Sequence, residues 1–389
     1  MSGRDVVILS GVRTPIGSFL GSLKDVRAQT MGARVIEEAL RRAGVEASQI
    51  DEVVMGNNGG TDCRSNIARE AMLETNFPVE IPAFTVGKAC ASGLKSIALA
   101  ASIIRSGEAD VMVAGGLESM SRAPYILQGA RGGFRLRHVE LTDSLLFVLE
   151  GMGLTAERLA EEYSISRQEQ DQFACQSQFK AAQAQQAGLF DEQILPIAIP
   201  QKKGEPVVFK QDEGVRPNTT MEVLAKLRPA FKEGGTVTAG NSSTINDGAA
   251  AVVLASAEKA RALGLKPLAK VKAWAAAGCD PAIMGIGPVP ATRRLLKQTG
   301  MGLDDFDLVE LNEAFAVQVL AVCQELPFKS ERLNVNGGAI ALGHPVGASG
   351  SILIVKLIHE MKRRQAGNGL VTICIGGGQG LSLALENMS

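Results

Sequence analysis

Blocks of this sequence recur in the same order roughly 260 residues further along, and that duplication constrains the fold more than any other feature. A helix-like run ending in Arg42-Ala43-Gly44 leads into Ile50-Asp51-Glu52-Val53-Val54, and a second, ending in Gln298-Thr299-Gly300, leads into Phe306-Asp307-Leu308-Val309-Glu310. Cys90-Ala91-Ser92-Gly93 returns as Gly347-Ala348-Ser349-Gly350. Val111-Met112-Val113-Ala114-Gly115-Gly116 returns as Thr372-Ile373-Cys374-Ile375-Gly376-Gly377. The spacings are 256, 257 and 261 residues (300 − 44, 350 − 93 and 376 − 115), nearly constant and far longer than any solenoid repeat. Strands alternate with helices, so the expected class is α/β: two homologous halves about a pseudo-twofold axis, each with its own mixed sheet. Sites are expected where matching strand ends meet. The N-terminal half spans residues 1–120 and is completed by 247–267; the C-terminal half spans 268–389. Residues 121–246 have no counterpart and form an inserted loop domain, either a binding surface or a packing and oligomer element.

Composition narrows the function. Net charge is −1, so no basic face points to nucleic acid or membrane. One Trp and two Tyr are too few for a base-stacking platform. Cys63, Cys90, Cys175, Cys279, Cys323 and Cys374 show no pairing or metal spacing, and neither CxxC nor HExxH occurs, so no metal site is expected. The chain enters a strand at Val6-Val7-Ile8-Leu9 with no signal core, and no apolar run is long enough to cross a bilayer. Free thiols and the missing leader suggest a cytoplasmic protein.

Four segments carry chemistry. Cys90 stands ahead of the helical run Leu94 to Arg105, where the positive helix end favours thiolate. The dipole supplies at most ~2 kcal/mol, so a reactive Cys90 needs a second helper; otherwise it is an inert buried thiol. Asn312 and Glu313 follow the strand Leu308-Val309-Glu310, in a place that also suits caps. Gly343-His344-Pro345 lies in a glycine-rich stretch, residues 336–350, whose turns can bring His344 against a neighbour. Of the other two histidines, His138 lies in a Gly/Arg-rich loop and His359 reads as surface on the helix Ile352 to Arg364. Cys374-Ile375-Gly376-Gly377-Gly378 follows an apolar strand and offers free N–H groups for an oxyanion; a phosphate loop would need a following Lys-Ser/Thr. The duplication places Cys90 and Cys374 near equivalent strand ends, facing one cleft. A nucleophilic thiol with a second thiol as base suits acyl transfer combined with removal of a proton α to a thioester.

Together with Gly11-Val12-Arg13-Thr14-Pro15, Gly115-Gly116-Leu117-Glu118-Ser119-Met120-Ser121, Ala239-Gly240-Asn241-Ser242-Ser243 and Ile245-Asn246-Asp247-Gly248, these segments resemble the thiolase family along nearly the whole chain. Met284-Gly285-Ile286-Gly287-Pro288 and the overall length look most like its bacterial acetyl-CoA acetyltransferase branch. The resemblance implies a duplicated fold with a five-layered α-β-α-β-α core. It implies that Cys90 carries the acyl group, that His344 activates it, and that Cys374 takes the α-proton. His344 with a water on Asn312 would stabilise the enolate, and the N–H groups of Cys90 and Gly376 the acyl-enzyme oxyanion. Arg216 would meet the adenine of coenzyme A and Ser243 its pantetheine, with Met152 and Met284 among the substrate- or CoA-binding residues. Acyl-CoA and CoA are then the substrates, with no cofactor or metal, in a homodimer or homotetramer.

Three departures from the family stand out. Gly151 replaces a His before Met152, in a shortened segment that would leave the lid open. Val223 replaces a Ser near the adenine. Residues 57–64 are unusual for a dimer-facing segment. The expectation is tolerance for 3-ketoacyl chains longer than acetoacetyl. Two rivals remain. A decarboxylating ketosynthase would need a second His, or His with Asn, in place of Cys374. A non-catalytic acyl-CoA-binding relative should have lost a catalytic group.

Overall fold

The computed structural model describes residues 4–59, 65–133 and 140–389. The N-terminal half runs β1 (Val6–Arg13), β2 (Gly17–Ser18), α1 (Ala28–Ala43), β3 (Glu52–Gly56), α2 (Ile67–Leu73), β4 (Ala83–Val86), α3 (Ser92–Ser106) and β5 (Val111–Ser119). An excursion follows, with β6 (Tyr125–Gln128), β7 (Glu140–Asp143), α4 (Leu146–Glu162), α5 (Arg167–Gln186), β8 (Ile197–Ile199), β9 (Val207–Phe209) and α6 (Met221–Ala225). The chain returns in β10 (Asn246–Ser256) and α7 (Ala257–Ala262). The C-terminal half is β11 (Ala269–Gly278), α8 (Pro288–Thr299), β12 (Leu308–Leu311), α9 (Ala316–Glu325), α10 (Ala339–Leu342), α11 (Val346–Arg364), β13 (Asn368–Ile375) and β14 (Gln379–Asn387).

Strand order shows the duplication directly. One half reads β4-β3-β5-β10-β1, with the first three parallel and the last two pairings antiparallel. The other reads β12-β13-β14-β11 with the same senses, and a parallel bridge from Val309 to Leu333 stands where β4 flanks β3. Each half has its own mixed sheet, as the sequence suggested, but the two sheets touch. They join edge to edge where β1 meets β11, but over only Val7↔Lys270 and Ile8↔Ala269.

Helices alternate with these sheets to give five layers. The helix α1 buries Met31, Val35, Ile36, Ala39 and Leu40 at helical spacing against one face of the N-terminal sheet and keeps Arg34 and Arg41 outside. It ends on Gly44 in the left-handed region (φ 67), as α8 ends on Gly300 (φ 69), so the recurrence at 44 and 300 is a duplicated helix stop. The helices α8 and α9 cover the outer face of the other sheet. Between the sheets lie α3 and α11, crossing closely at the duplicated Ala-Ser-Gly. A Cβ on Gly93 would sit 2.9 Å from the Gly347 carbonyl oxygen, and one on Gly350 would sit 2.5 Å from the Leu94 nitrogen.

The third recurrence is out of register. Glu52 pairs with Met112 while Leu308 pairs with Gly369, so Met112 corresponds to Gly369, 257 residues apart (369 − 112), and Gly376 corresponds to Ser119. The matched glycines do different work. A Cβ on Gly115 would fall 2.1 Å from the Ala250 carbonyl oxygen, and one on Gly116 would fall 2.3 Å from that of Gly347, so both serve close packing. Gly377 and Gly378, at φ 88 and 82, form the turn between β13 and β14. In the N-terminal half the same two strands, β5 and β10, are joined by the whole excursion. Arg13 anchors that excursion: fully buried, it makes two bonds to Asp212, at 2.7 and 2.8 Å, and one to Gln193.

Candidate active site

Cys90 sits in a tight turn after β4. Ala89 before it is left-handed (φ 44), a conformation that costs a non-glycine residue about 1 kcal/mol. Ser92 holds the turn, its hydroxyl accepting from the Lys88 N–H (2.8 Å) and donating to the Ala89 carbonyl (2.7 Å). The half-buried thiol faces its own N–H and that of Gly376, from the opposite half. Burial raises its pKa, the two N–H groups pull it back, and the Glu118 carboxylate adds to the rise. The resting group is therefore a thiol: burial outweighs the pull of the helix end, which was expected to be too weak alone.

His344 is buried and lines the same pocket as Cys90. Its ring Nδ1 lies 2.5 Å from Ser349 Oγ, and that hydroxyl donates to the Pro345 carbonyl (2.9 Å). With its one hydrogen committed there, Ser349 can only accept from the ring, so Nδ1 carries the proton and Nε2 is the basic nitrogen. Nε2 is buried with no hydrogen-bond partner among the described residues. Burial lowers this imidazole to about 4, so it rests neutral. Its backbone N–H donates to Asn246 Oδ1 (2.8 Å), and Gly343 (φ 110) leaves room for that contact, since a Cβ there would lie 2.5 Å from the Asn246 side chain.

The other candidates divide. Asn312, just past β12, is buried, and its Nδ2 has no hydrogen-bond partner among the described residues. Its neighbour Glu313 has a structural job, accepting from Ser177, Asn334 and the Ile340 N–H. Cys374 is fully buried inside β13; burial and then the nearby Cys90 raise its pKa well above the ordinary thiol value. It stands on the equivalent of β5, whereas Cys90 follows β4, so the two thiols approach from non-equivalent strands. His359 is not surface: its Nε2 reaches the Gly11 carbonyl at 3.1 Å and burial lowers its pKa. His138 and residues 60–64 lie outside the described residues.

Cys90, Met152, Ser243, Met284 and His344 line one largely apolar cavity of about 580 Å³, with Met120, Phe231 and Phe315. Met152 packs over Gly376, its sulfur 3.4 Å from where a Cβ would stand. A second cavity of about 700 Å³ holds Arg216, Val223 and Gly240, and Thr244 lines both. Among the described residues no cluster could hold a metal ion, no helix is long and apolar enough to cross a membrane, and Cys90, Cys175, Cys279, Cys323 and Cys374 are free thiols.

Residues 6–258 match the thiolase N-terminal domain and residues 265–387 the thiolase C-terminal domain. The chain belongs to the thiolase family. It is 54% identical to an acetyl-CoA acetyltransferase of Pseudomonas aeruginosa, covering 98% of this chain and 99% of that one. The crystal structure of the Bacillus anthracis acetyl-CoA acetyltransferase superposes with a TM-score of 0.97 at 46% identity, covering 99% of both chains. Human mitochondrial 3-ketoacyl-CoA thiolase in complex with CoA superposes with a TM-score of 0.95 at 42% identity, covering 99% of this chain and 98% of that one.

For this thiolase the sequence motifs left several site residues unnamed. Ser349 was legible only as part of a repeated Ala-Ser-Gly; its counterpart Ser92 likewise spends its hydroxyl on a backbone carbonyl. Phe231 and Thr244 come from the excursion, where no repeat exists to flag them.

Proposed function

We propose that the protein catalyses the reversible condensation of acetyl-CoA with an acyl-CoA to give a 3-ketoacyl-CoA and CoA, through an acyl-Cys90 intermediate. The observation that carries this reading is the convergence on one sulfur of two backbone N–H groups from opposite halves, with a tautomer-locked imidazole on the same cavity. His344 Nε2 takes the Cys90 proton as the sulfur attacks the thioester carbonyl. The oxyanion accepts from the N–H groups of Cys90 and Gly376, where each such donor is worth about 10²–10³ in rate. The CoA sulfur departs with the proton of Cys374, leaving acyl-Cys90 and a Cys374 thiolate. That thiolate, strongly basic because it is buried, removes the α-proton of the second acetyl-CoA. Asn312 Nδ2, through a water, and His344 stabilise the enolate oxygen. The α-carbon attacks acyl-Cys90, and the Cys90 sulfur leaves and takes back the proton held on His344 Nε2. The balance closes with no metal or redox group.

The second cavity, with Arg216 and Val223, suits the nucleotide end of CoA, and Ser243 and Thr244 the arm that enters the first. Methionines and phenylalanines give the acyl end a deformable wall. Gly151 on α4 faces open space, which supports an open lid and chains longer than acetoacetyl. The exposed Tyr125, Ile126, Leu127 and Leu141 of the β6–β7 hairpin support a homo-oligomer, and the free thiols a cytoplasmic location. Thiolysis of 3-ketoacyl-CoAs of rising chain length tests the reading. CoA-dependent cleavage of acetoacetyl-CoA to acetyl-CoA is expected, with activity persisting beyond four carbons. No cleavage at any length would sink the function, and a collapse beyond four carbons would sink the chain-length tolerance. Malonyl-CoA outcompeting acetyl-CoA would favour a ketosynthase. Iodoacetamide labelling of Cys90 that prior acetyl-CoA does not block would favour a binding protein.

A further inference from the structure

The duplication gives the nucleophile turn a counterpart at the start of α11. Cys90 corresponds to Gly347, 257 residues on (347 − 90), so the Cys90 N–H has its double in the Gly347 N–H. That second N–H is already taken. Glu118, near the end of β5, is fully buried, and its Oε2 accepts from Gly347 N–H (2.9 Å) and Asn58 N–H (3.0 Å). Its Oε1 accepts from Gly59 N–H (3.1 Å) and Asn57 Nδ2 (2.9 Å). All four donors are neutral amides, so this is a charge seated in a nest of N–H groups rather than an ion pair. It is the arrangement an oxyanion hole offers its substrate, filled from within. In the other half Glu118 corresponds to Ile375, which leaves the neighbouring Gly376 N–H free for Cys90.

We propose that Glu118 is a positioning residue of the active site: its carboxylate takes up the Gly347 N–H, the pseudo-symmetric double of the Cys90 N–H, pins the first turn of α11 behind His344, and sets the charge beside the resting Cys90. The inference rests on the thiolase reading above. It explains why a carboxylate that plays no part in the chemistry is buried at full desolvation cost. The other titratable groups that face Cys90 are His344 ahead of α11 and Cys374 on β13; Lys88, on the same turn, is engaged by Gln379 at 2.6 Å. Glu118 is the one carboxyl group among these described residues; burial raises its pKa and its four N–H donors lower it.

Two variants and a small carboxylate test this. Glu118→Gln removes the charge and leaves two of the four donors without an acceptor. It should fold with a lowered melting temperature, lose about tenfold or more in kcat with KM for acetoacetyl-CoA changed less than twofold, and let iodoacetamide label Cys90 severalfold faster at neutral pH. Glu118→Ala should lose more activity, and millimolar formate should restore part of it saturably while also slowing the labelling; wild type should not respond. The inference is overturned if Glu118→Gln labels at the wild-type rate, if losses merely track melting temperature, or if formate leaves Glu118→Ala unchanged. Labelling and its reversal by formate need no turnover. If wild type fails to cleave acetoacetyl-CoA, the parent reading falls while the role of Glu118 is still decided.

Discussion

The two halves join the same pair of antiparallel strands in opposite ways. In the C-terminal half, β13 and β14 meet through three glycines, Gly376 to Gly378. In the N-terminal half, β5 and β10 are joined by everything from Met120 to Ile245. Both connections end at Cys90. The short one delivers a backbone N–H that cannot wander, and the long one delivers the walls of the acyl cavity. A symmetric frame thus yields an asymmetric site. Rigidity and room come from the same topological position in different copies, through connections of different length.

The sharpest way to break that comparison is to remove each half's sulfur. Cys90→Ala should abolish the acyl-enzyme seen by mass spectrometry and lower turnover at least about 10³-fold. Cys374→Ser should keep the acetyl adduct yet lose condensation by roughly 10²–10⁴. Equal loss of both steps in Cys374→Ser would contradict the division between halves. Next comes the short connection itself. Gly378 stands at φ 82, and a Cβ there would lie 2.5 Å from the Cys279 carbonyl oxygen, so Gly378→Ala should displace the Gly376 N–H and cost about 10² in kcat with KM nearly intact. Gly204, in the long connection, has a similar φ of 89 but open space around it; Gly204→Ala should leave steady-state kinetics unchanged.

The pH dependence of unfolding probes the buried pair. His344 has its folded pKa depressed to about 4 from 6.5, so the unfolded chain binds the proton first. Its contribution is full above pH 6.5 and is lost as pH falls toward 4, about 3 kcal/mol in all. In His344→Asn, denaturant titrations between those limits should show a shallower slope; an unchanged slope would place the titration elsewhere. The smallest effect belongs to the rim of the second cavity. Val223 is half exposed there, and Val223→Ser should change KM for CoA by about twofold, in line with a single hydrogen bond at a wet site.

Much of this molecule was legible because duplication leaves a trace at the residues geometry constrains most. The glycines at 44 and 300 had to be left-handed stops, and the Ala-Ser-Gly blocks had to be small where two helices cross. The glycine match at 261 residues misled because composition cannot tell a turn from a close contact: Gly115 packs while Gly377 bends. Cys90, His344 and Cys374 could be singled out by residue type, but the resting thiol could not, since desolvation depends on what lies around the sulfur in space. Nor could Glu118. Its donors come from residues 57–59 and 347, which only the fold brings together.

The crossing of α3 and α11 has a further consequence for how the protein tolerates change. Each helix reaches the contact through a residue with no side chain, and on the far side of one of them is the nucleophile turn. A methyl group added to Gly93 meets the Gly347 carbonyl and Ser351, and one added to Gly350 meets Leu94, so either pushes the two helices apart. Wear at this spot should therefore not be graded: variants that loosen the middle layer lose their catalyst in the same step, and a repair of one helix would have to be matched in its twin.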